Sequence, residues 1–229
     1  SSTSKSSRMR RIATLLILVM MLASCGDTSF ESVVKTSAGT ITVSPSDASG
    51  AAIWQGRCAS CHGAAGEGNK ALGAPALTQL SADYIERQLN HFATGVRGAQ
   101  GSDEAGKRMA LSVANLNDRE IPDLVELITT ELQPTQPAAT VSGDAERGKD
   151  YYTNICSACH AINAQGNDVL GAPALAGAND WYLKSSYEGY LEGIRGAHPD
   201  DFYGAQMARL APALSNGDDI NDVIAFIAT

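Results

Sequence analysis

Two stretches decide the fold: Gly50-Ala51-Ala52-Ile53-Trp54-Gln55-Gly56-Arg57-Cys58-Ala59-Ser60-Cys61-His62 and Gly148-Lys149-Asp150-Tyr151-Tyr152-Thr153-Asn154-Ile155-Cys156-Ser157-Ala158-Cys159-His160. A shift of 98 positions lays one on the other, pairing Gly50 with Gly148, Trp54 with Tyr152, and both cysteines and the histidine with their counterparts. Outward from them the same shift carries Gly68 to Gly166, Gly73-Ala74-Pro75-Ala76-Leu77 to Gly171-Ala172-Pro173-Ala174-Leu175, Tyr84 to Tyr182, Arg97 to Arg195 and Met109 to Met207. One residue is inserted only beyond Leu116 and Leu214, bringing Ile121 opposite Ile220. Self-similarity held over this distance means two homologous lobes.

The lobes read as helical. Ile85, Leu89 and Phe92 fall at i, i+4 and i+7, and Leu183, Tyr187 and Tyr190 repeat that spacing, which is one face of a helix. Ser81 and Asn179 stand where N-caps belong. A closing amphipathic helix follows in each lobe, through Ile121, Leu124, Val125 and Ile128 and through Ile220, Val223, Ile224 and Ile227. Asp118 is the expected cap of the first, and Pro122 is tolerated in its opening turn, where its missing N–H has no partner to lose. The short stretch before each cysteine pair makes a third helix. The predicted class is therefore all-α, with lobes at 50–132 and 143–229. The linker at 133–142 contains Gln133-Pro134-Thr135-Gln136-Pro137, in which prolines block helix continuation.

The chemistry lies in Cys58-Ala59-Ser60-Cys61-His62 and Cys156-Ser157-Ala158-Cys159-His160. C-x-x-C-H is the attachment signature of a c-type haem, with two thiols on one helical turn to reach the vinyl groups and an adjacent imidazole to reach iron. A single C-x-x-C leaves a redox dithiol, a zinc site and chance as rivals. Two copies, each followed by histidine, leave them little weight. No second ligand pair at finger-like spacing accompanies either motif, and the helical pattern lacks the strands of a thioredoxin-like fold. Of five methionines, Met9, Met20 and Met21 lie in the N-terminal segment, so only Met109 and Met207 remain beyond it, at one position of the repeat. Core filling explains any one methionine but not that coincidence. A thioether opposite imidazole favours ferrous iron, so the expected axial pairs are His62 with Met109 and His160 with Met207.

With these residues assembled, each lobe resembles a class I cytochrome c domain, and the pair is similar to the di-haem cytochrome c4 family, over about residues 50–229. The resemblance implies two covalently attached haem c groups. It also implies that the carbonyls of Pro75 and Pro173 orient His62 and His160 through the other ring nitrogen, although these prolines also shape a loop. Arg97 and Arg195, in Gly95-Val96-Arg97-Gly98 and Gly193-Ile194-Arg195-Gly196, match a family segment and are expected to neutralise haem propionates, the alternative being an ordinary solvated arginine. Trp54 and Tyr152 are expected to pack on the porphyrin. One departure concerns the second motif, which runs into Ala161 where the first runs into Gly63, as the family commonly does.

Arg8, Arg10 and Arg11 precede an apolar run of 11 residues from Ile12 to Leu22, which reads as an export signal. A spanning helix needs about 20 apolar residues. Leu22-Ala23-Ser24-Cys25 resembles the bacterial lipobox, which makes residues 1–24 a lipoprotein signal and Cys25 an acylated cysteine; an ordinary peptidase site would leave a free thiol. Cysteine arithmetic supports the lipobox, because Cys25 is the odd one of five. Residues 25–49, rich in Ser, Thr and Gly, read as a flexible membrane tether, with a small hairpin between Val33 and Val43 as the alternative. Losing Lys5, Arg8, Arg10 and Arg11 moves the formal charge from −8 to −12. An acidic field of that size disfavours nucleic acid and attracts basic docking faces.

The expected function is electron transfer on the exported, periplasmic or cell-surface side of a bacterial membrane. The donor would be a quinol-oxidising complex or dehydrogenase and the acceptor a terminal oxidase or reductase, with no catalysis by the chain itself. The alternatives are a haem enzyme, such as a di-haem peroxidase or thiosulfate-oxidising cytochrome, and a dedicated cytochrome subunit of a larger complex. His91, off the apolar face of its helix, is expected at the surface. His198, in Gly196-Ala197-His198-Pro199, has no counterpart in the first lobe.

Overall fold

The computed structural model describes residues 32–36, 39–43, 49–133, 136–214 and 216–229. The signal segment and Cys25 lie outside them. Residues 32–43 belong to a unit of their own, in which β1 (Ser32–Thr36) and β2 (Gly39–Val43) form an antiparallel ladder with Val34 opposite Ile41. The segment read as a tether thus contains the hairpin.

In lobe 1, α1 (Gly50–Ile53) continues through a π-helical turn (Trp54–Cys58) into α2 (Ala59–His62). A 3₁₀ turn (Lys70–Leu72) leads to α3 (Ala82–Thr94), α4 (Glu104–Val113) and α5 (Glu120–Glu126), which runs into a second π turn (Leu127–Glu131). Lobe 2 repeats the order: α6 (Ala145–Tyr151), a π turn (Tyr152–Cys156), α7 (Ser157–His160), a 3₁₀ turn (Asp168–Leu170), α8 (Asp180–Leu191) and α9 (Phe202–Leu210). A 3₁₀ turn (Ala211–Leu214) and α10 (Gly217–Ile227) close it. Among the described residues no helix is long and apolar enough to cross a membrane.

The first and last helices of each lobe cross at a glycine. A Cβ on Gly50 would lie 2.1 Å from the Asp123 carbonyl oxygen, and one on Gly148 would lie 1.9 Å from that of Asp222. Only a bare Cα permits this approach. Around each crossing the periodic apolar faces are buried: Trp54, Ile85, Leu89, Phe92, Leu124 and Ile128 in lobe 1, and Tyr152, Tyr187, Leu214, Val223 and Ile224 in lobe 2. Each large side chain so removed from water contributes about 1.5–3 kcal/mol.

Ser81 caps α3 as expected, its hydroxyl accepting from the Tyr84 N–H at 3.4 Å. Two other caps differ. Asn117, not Asp118, receives the N–H groups of Arg119 and Glu120 at the start of α5, because its Oδ1 lies within reach of both (2.9 and 3.1 Å). Asn179 occupies the N-cap position of α8, yet its Oδ1 accepts from the Ala76 N–H of the other lobe at 2.6 Å. Further bonds join the lobes: the Ser81 hydroxyl donates to Asp168 (2.5 Å), Arg87 to the Gly171 carbonyl (2.8 Å), and Lys70 reaches Thr140 in the linker (3.2 Å). Buried Asp180 holds that linker by accepting from the N–H groups of Thr140 and Val141 and from the Thr140 hydroxyl.

Candidate haem sites

In lobe 1 the π turn delivers Cys58 and α2 carries Cys61 and His62. Pro75, in the loop after the first 3₁₀ turn, accepts a hydrogen bond from His62 Nδ1 at 2.8 Å. Lobe 2 repeats this with His160 Nδ1 and the Pro173 carbonyl at 2.9 Å. Since a carbonyl only accepts, the proton sits on Nδ1 and the Nε2 lone pair is left available to a metal. Burial lowers the pKa of both imidazoles, against the smaller opposing effect of the proline carbonyls, so both are held neutral. Buried Trp54 braces the first loop by donating from Nε1 to the Ala64 carbonyl (3.1 Å), its ring centroid 6.5 Å from that of His62. Tyr152 does the same in lobe 2, donating to the Ala161 carbonyl at 2.6 Å.

None of the four motif cysteines is joined in a disulfide. Burial pushes the Cys58 and Cys156 thiols up to about 11, at Cys58 against the opposing pull of Arg57. A thiol this reluctant to ionise is a poor redox nucleophile, which counts against the dithiol rival. Two cysteines on one helical turn next to a neutral imidazole instead fit thioether attachment of a haem. Met109 on α4 and Met207 on α9 each pack against the core of their own lobe, the same cores that take in Cys58 and Cys156.

Arg97 and Arg195 are half-buried and point between the lobes. Arg97 donates to Gln88 Oε1 (2.6 Å) and to the Tyr182 hydroxyl (2.9 Å), while its buried Nε has no partner. Arg195 reaches the Tyr84 hydroxyl at 3.5 Å. Among the described residues neither has a carboxylate within ion-pair distance. Of the two guanidiniums, Arg97 thus keeps one buried donor without a protein partner among the described residues.

His91 is not the surface residue its helix position suggested. Its side chain is only 15% exposed and its Nδ1 stands 3.9 Å from Asp201 of the opposite lobe, because the face of α3 turned from the core is covered by lobe 2. His198 accepts from the Asp200 N–H at 3.2 Å within its own loop. The tyrosines Tyr84 and Tyr182 were visible in the repeat, but no local signal marked them as partners of the arginines.

Each lobe is thus a helical shell holding an attachment pair, a proline-oriented imidazole and a methionine, which defines a di-haem protein of the class I type. The Cytochrome c family profile matches residues 48–131 and 145–229. A thiosulfate dehydrogenase electron acceptor of Stutzerimonas stutzeri is 32% identical over 184 residues, covering 75% of this chain and 77% of that protein. Cytochrome c4 of the same species is 28% identical over 171 residues, 70% of this chain and 79% of its own. The solved cytochrome c4 of Acidithiobacillus ferrooxidans shares the fold, with a TM-score of 0.61 at 21% identity over 75% of this chain and 97% of that one. The chain belongs to the cytochrome c family. It carries two covalently bound haem c groups and transfers electrons between redox partners.

Proposed function

We propose that this chain is a lipid-anchored electron carrier on the exported side of a bacterial membrane, taking electrons from a dehydrogenase or quinol-oxidising complex and passing them to a terminal oxidase or reductase. In this reading Cys58 and Cys61, and Cys156 and Cys159, would form the thioethers, and His62 with Met109, and His160 with Met207, would hold the two irons. The observation that carries it is the pairing in each lobe of an imidazole with a free Nε2 and a core-packed methionine. Haem supplies one-electron chemistry with little change in shape. The chain's own residues do the rest: Pro75 and Pro173 fix the imidazole tautomer, the helical shells exclude water, and Met109 and Met207 would keep the iron of each site closed to exogenous ligands.

The similarity to an electron acceptor of thiosulfate dehydrogenase supports a dehydrogenase as donor. It also keeps an enzymatic reading in view, since a thiosulfate-oxidising cytochrome needs an exchangeable axial position. Visible spectroscopy separates the two. Two low-spin haems, each with the weak sulfur-to-iron band near the red end, are expected of the carrier, and Met207→Ala removes that band from one haem only. An unchanged spectrum in that variant, or a native haem that takes up carbon monoxide readily, refutes the carrier assignment. For the anchor, Cys25→Ser is expected to move the protein from the membrane to the soluble fraction; retention in the membrane would count against acylation at Cys25.

A further inference from the structure

Each of the two arginines is held by both lobes at once. Arg97, just past the end of α3, stacks on Phe92 of its own lobe, 4.6 Å from guanidinium carbon to ring centroid, and donates to Tyr182 of the other lobe at 2.9 Å. Arg195 stacks on Tyr190 of its own lobe at 4.5 Å and reaches Tyr84 of the other lobe at 3.5 Å. The repeat relates the two sets: Arg97 to Arg195, Phe92 to Tyr190, and Tyr84 to Tyr182. A stacked guanidinium still rotates in the plane of the ring beneath it. A hydrogen bond at its edge stops that rotation; at Arg195 the opposite lobe provides it, and at Arg97 the opposite lobe's Tyr182 shares it with Gln88 of the arginine's own lobe.

We propose that Tyr84 and Tyr182 are positioning residues, the phenol of each lobe aiming the arginine of the other, so that the reduction potential of each haem is set in part by the lobe that does not hold it. This rests on the assignment of Arg97 and Arg195 as partners of haem carboxylates. A well-aimed cation beside a haem opposes the extra positive charge of ferric iron and raises the potential; a cation free to swing into water does so less. The electrostatics of the cluster agree with strong coupling. Burial pushes the Tyr182 phenol up, but the Arg97 and Arg195 guanidiniums outweigh it and draw it below the usual tyrosine range. Burial likewise works against the Arg195 charge, and the phenols of Tyr190, Tyr182 and Tyr84 outweigh that effect and hold it protonated.

The two-haem protein and its Tyr182→Phe, Tyr84→Phe and Arg97→Lys variants are titrated by spectroelectrochemistry. Each haem is assigned to its lobe through the contacts of its methyl protons with lobe-specific side chains. Tyr182→Phe is expected to lower the reduction equilibrium constant of the lobe 1 haem threefold to tenfold, tenfold being about 59 mV for one electron, and to move the lobe 2 haem less. Tyr84→Phe is expected to do the reverse, and Arg97→Lys to lower the lobe 1 haem. If Arg97→Lys moves that haem while Tyr182→Phe leaves it unchanged, or moves only the haem of its own lobe, the positioning role is overturned and the arginine assignment stands. If Tyr182→Phe acts and Arg97→Lys does not, the phenol works by another route and the proposal is equally overturned. If neither variant moves any potential, both the proposal and the arginine assignment fall. Should Tyr182→Phe not retain two haems, Tyr84→Phe carries the mirror-image prediction.

Discussion

Ala161 follows the second histidine with φ 63° and ψ 160°, where its counterpart Gly63 has φ 84° and ψ 156°. That region of backbone space is open to glycine and strained for any side chain, by about 1–3 kcal/mol. Lobe 2 holds its loop in this conformation with the Tyr152 hydroxyl, which grips the Ala161 carbonyl directly. Ala161→Gly is therefore expected to stabilise the protein by about 1 kcal/mol, a rise of about 2–4 °C in the thermal midpoint of the haem-loaded chain. A lower midpoint would show that the alanine is not strained. Gly63→Ala should act oppositely, since its Cβ would fall 2.2 Å from the Glu67 carboxyl group. The alanine was conspicuous in the sequence as a break in the repeat. Its strain was not legible there, because a positive φ is imposed by the loop that Pro173 and Tyr152 close from a distance.

The crossing helices show what periodicity reveals and what it hides. The i, i+4, i+7 spacing gave the buried face of α3 and the core-packed face of α8 directly, and Gly50 and Gly148 stood out as repeat partners. That their missing side chains admit the backbone of α5 and α10 emerges only from the packing. Gly148→Ala places a methyl against the Asp222 carbonyl and is expected to cost about 3 kcal/mol, measured as a lowered urea midpoint. The same crossing depends on Asp222 itself, which accepts from the Asp144 N–H and from Arg147 Nε. Burial raises the carboxyls of Asp222 and Asp180, but the N–H donors around them outweigh it, and both end below the usual carboxylate range. Their stabilisation is thus complete above the ordinary Asp range and disappears as pH falls through the lower folded values. Urea midpoints measured from pH 7 down to pH 3 should fall at the acid end, and Asp180→Asn and Asp222→Asn should flatten that fall. A slope unaffected by both variants would assign acid sensitivity to other groups. Capping was legible at Ser81 and misleading at Asn179, since residues well placed to cap also suit longer-range partners.

At the scale of the whole molecule the two lobes differ most in charge, −3 over residues 50–132 and −7 over 143–229. A small cationic reductant should therefore reduce the lobe 2 haem faster than the lobe 1 haem at low ionic strength, with the difference shrinking as salt is added. Equal rates for the two haems at low salt would mean that the surface near each haem does not follow the net charge of its lobe. The two-lobe architecture and both attachment motifs were legible because they are local and duplicated. The seam between the lobes was not, because residues such as Arg97 and Tyr182 meet only after both halves have folded. The π turns at Trp54–Cys58 and Tyr152–Cys156 sit 98 positions apart. Each feeds a cysteine pair whose direction depends on the wider winding of the turn before it. Removing one residue there would swing everything downstream by about 100°, one helical step, and re-aim the thiols. Insertions and deletions are therefore barred ahead of the cysteines while amino-acid exchange is not, as when Trp54 became Tyr152 or the reverse. The only change of length between the halves falls just ahead of the closing helix, beyond the repeat position that Met109 and Met207 share.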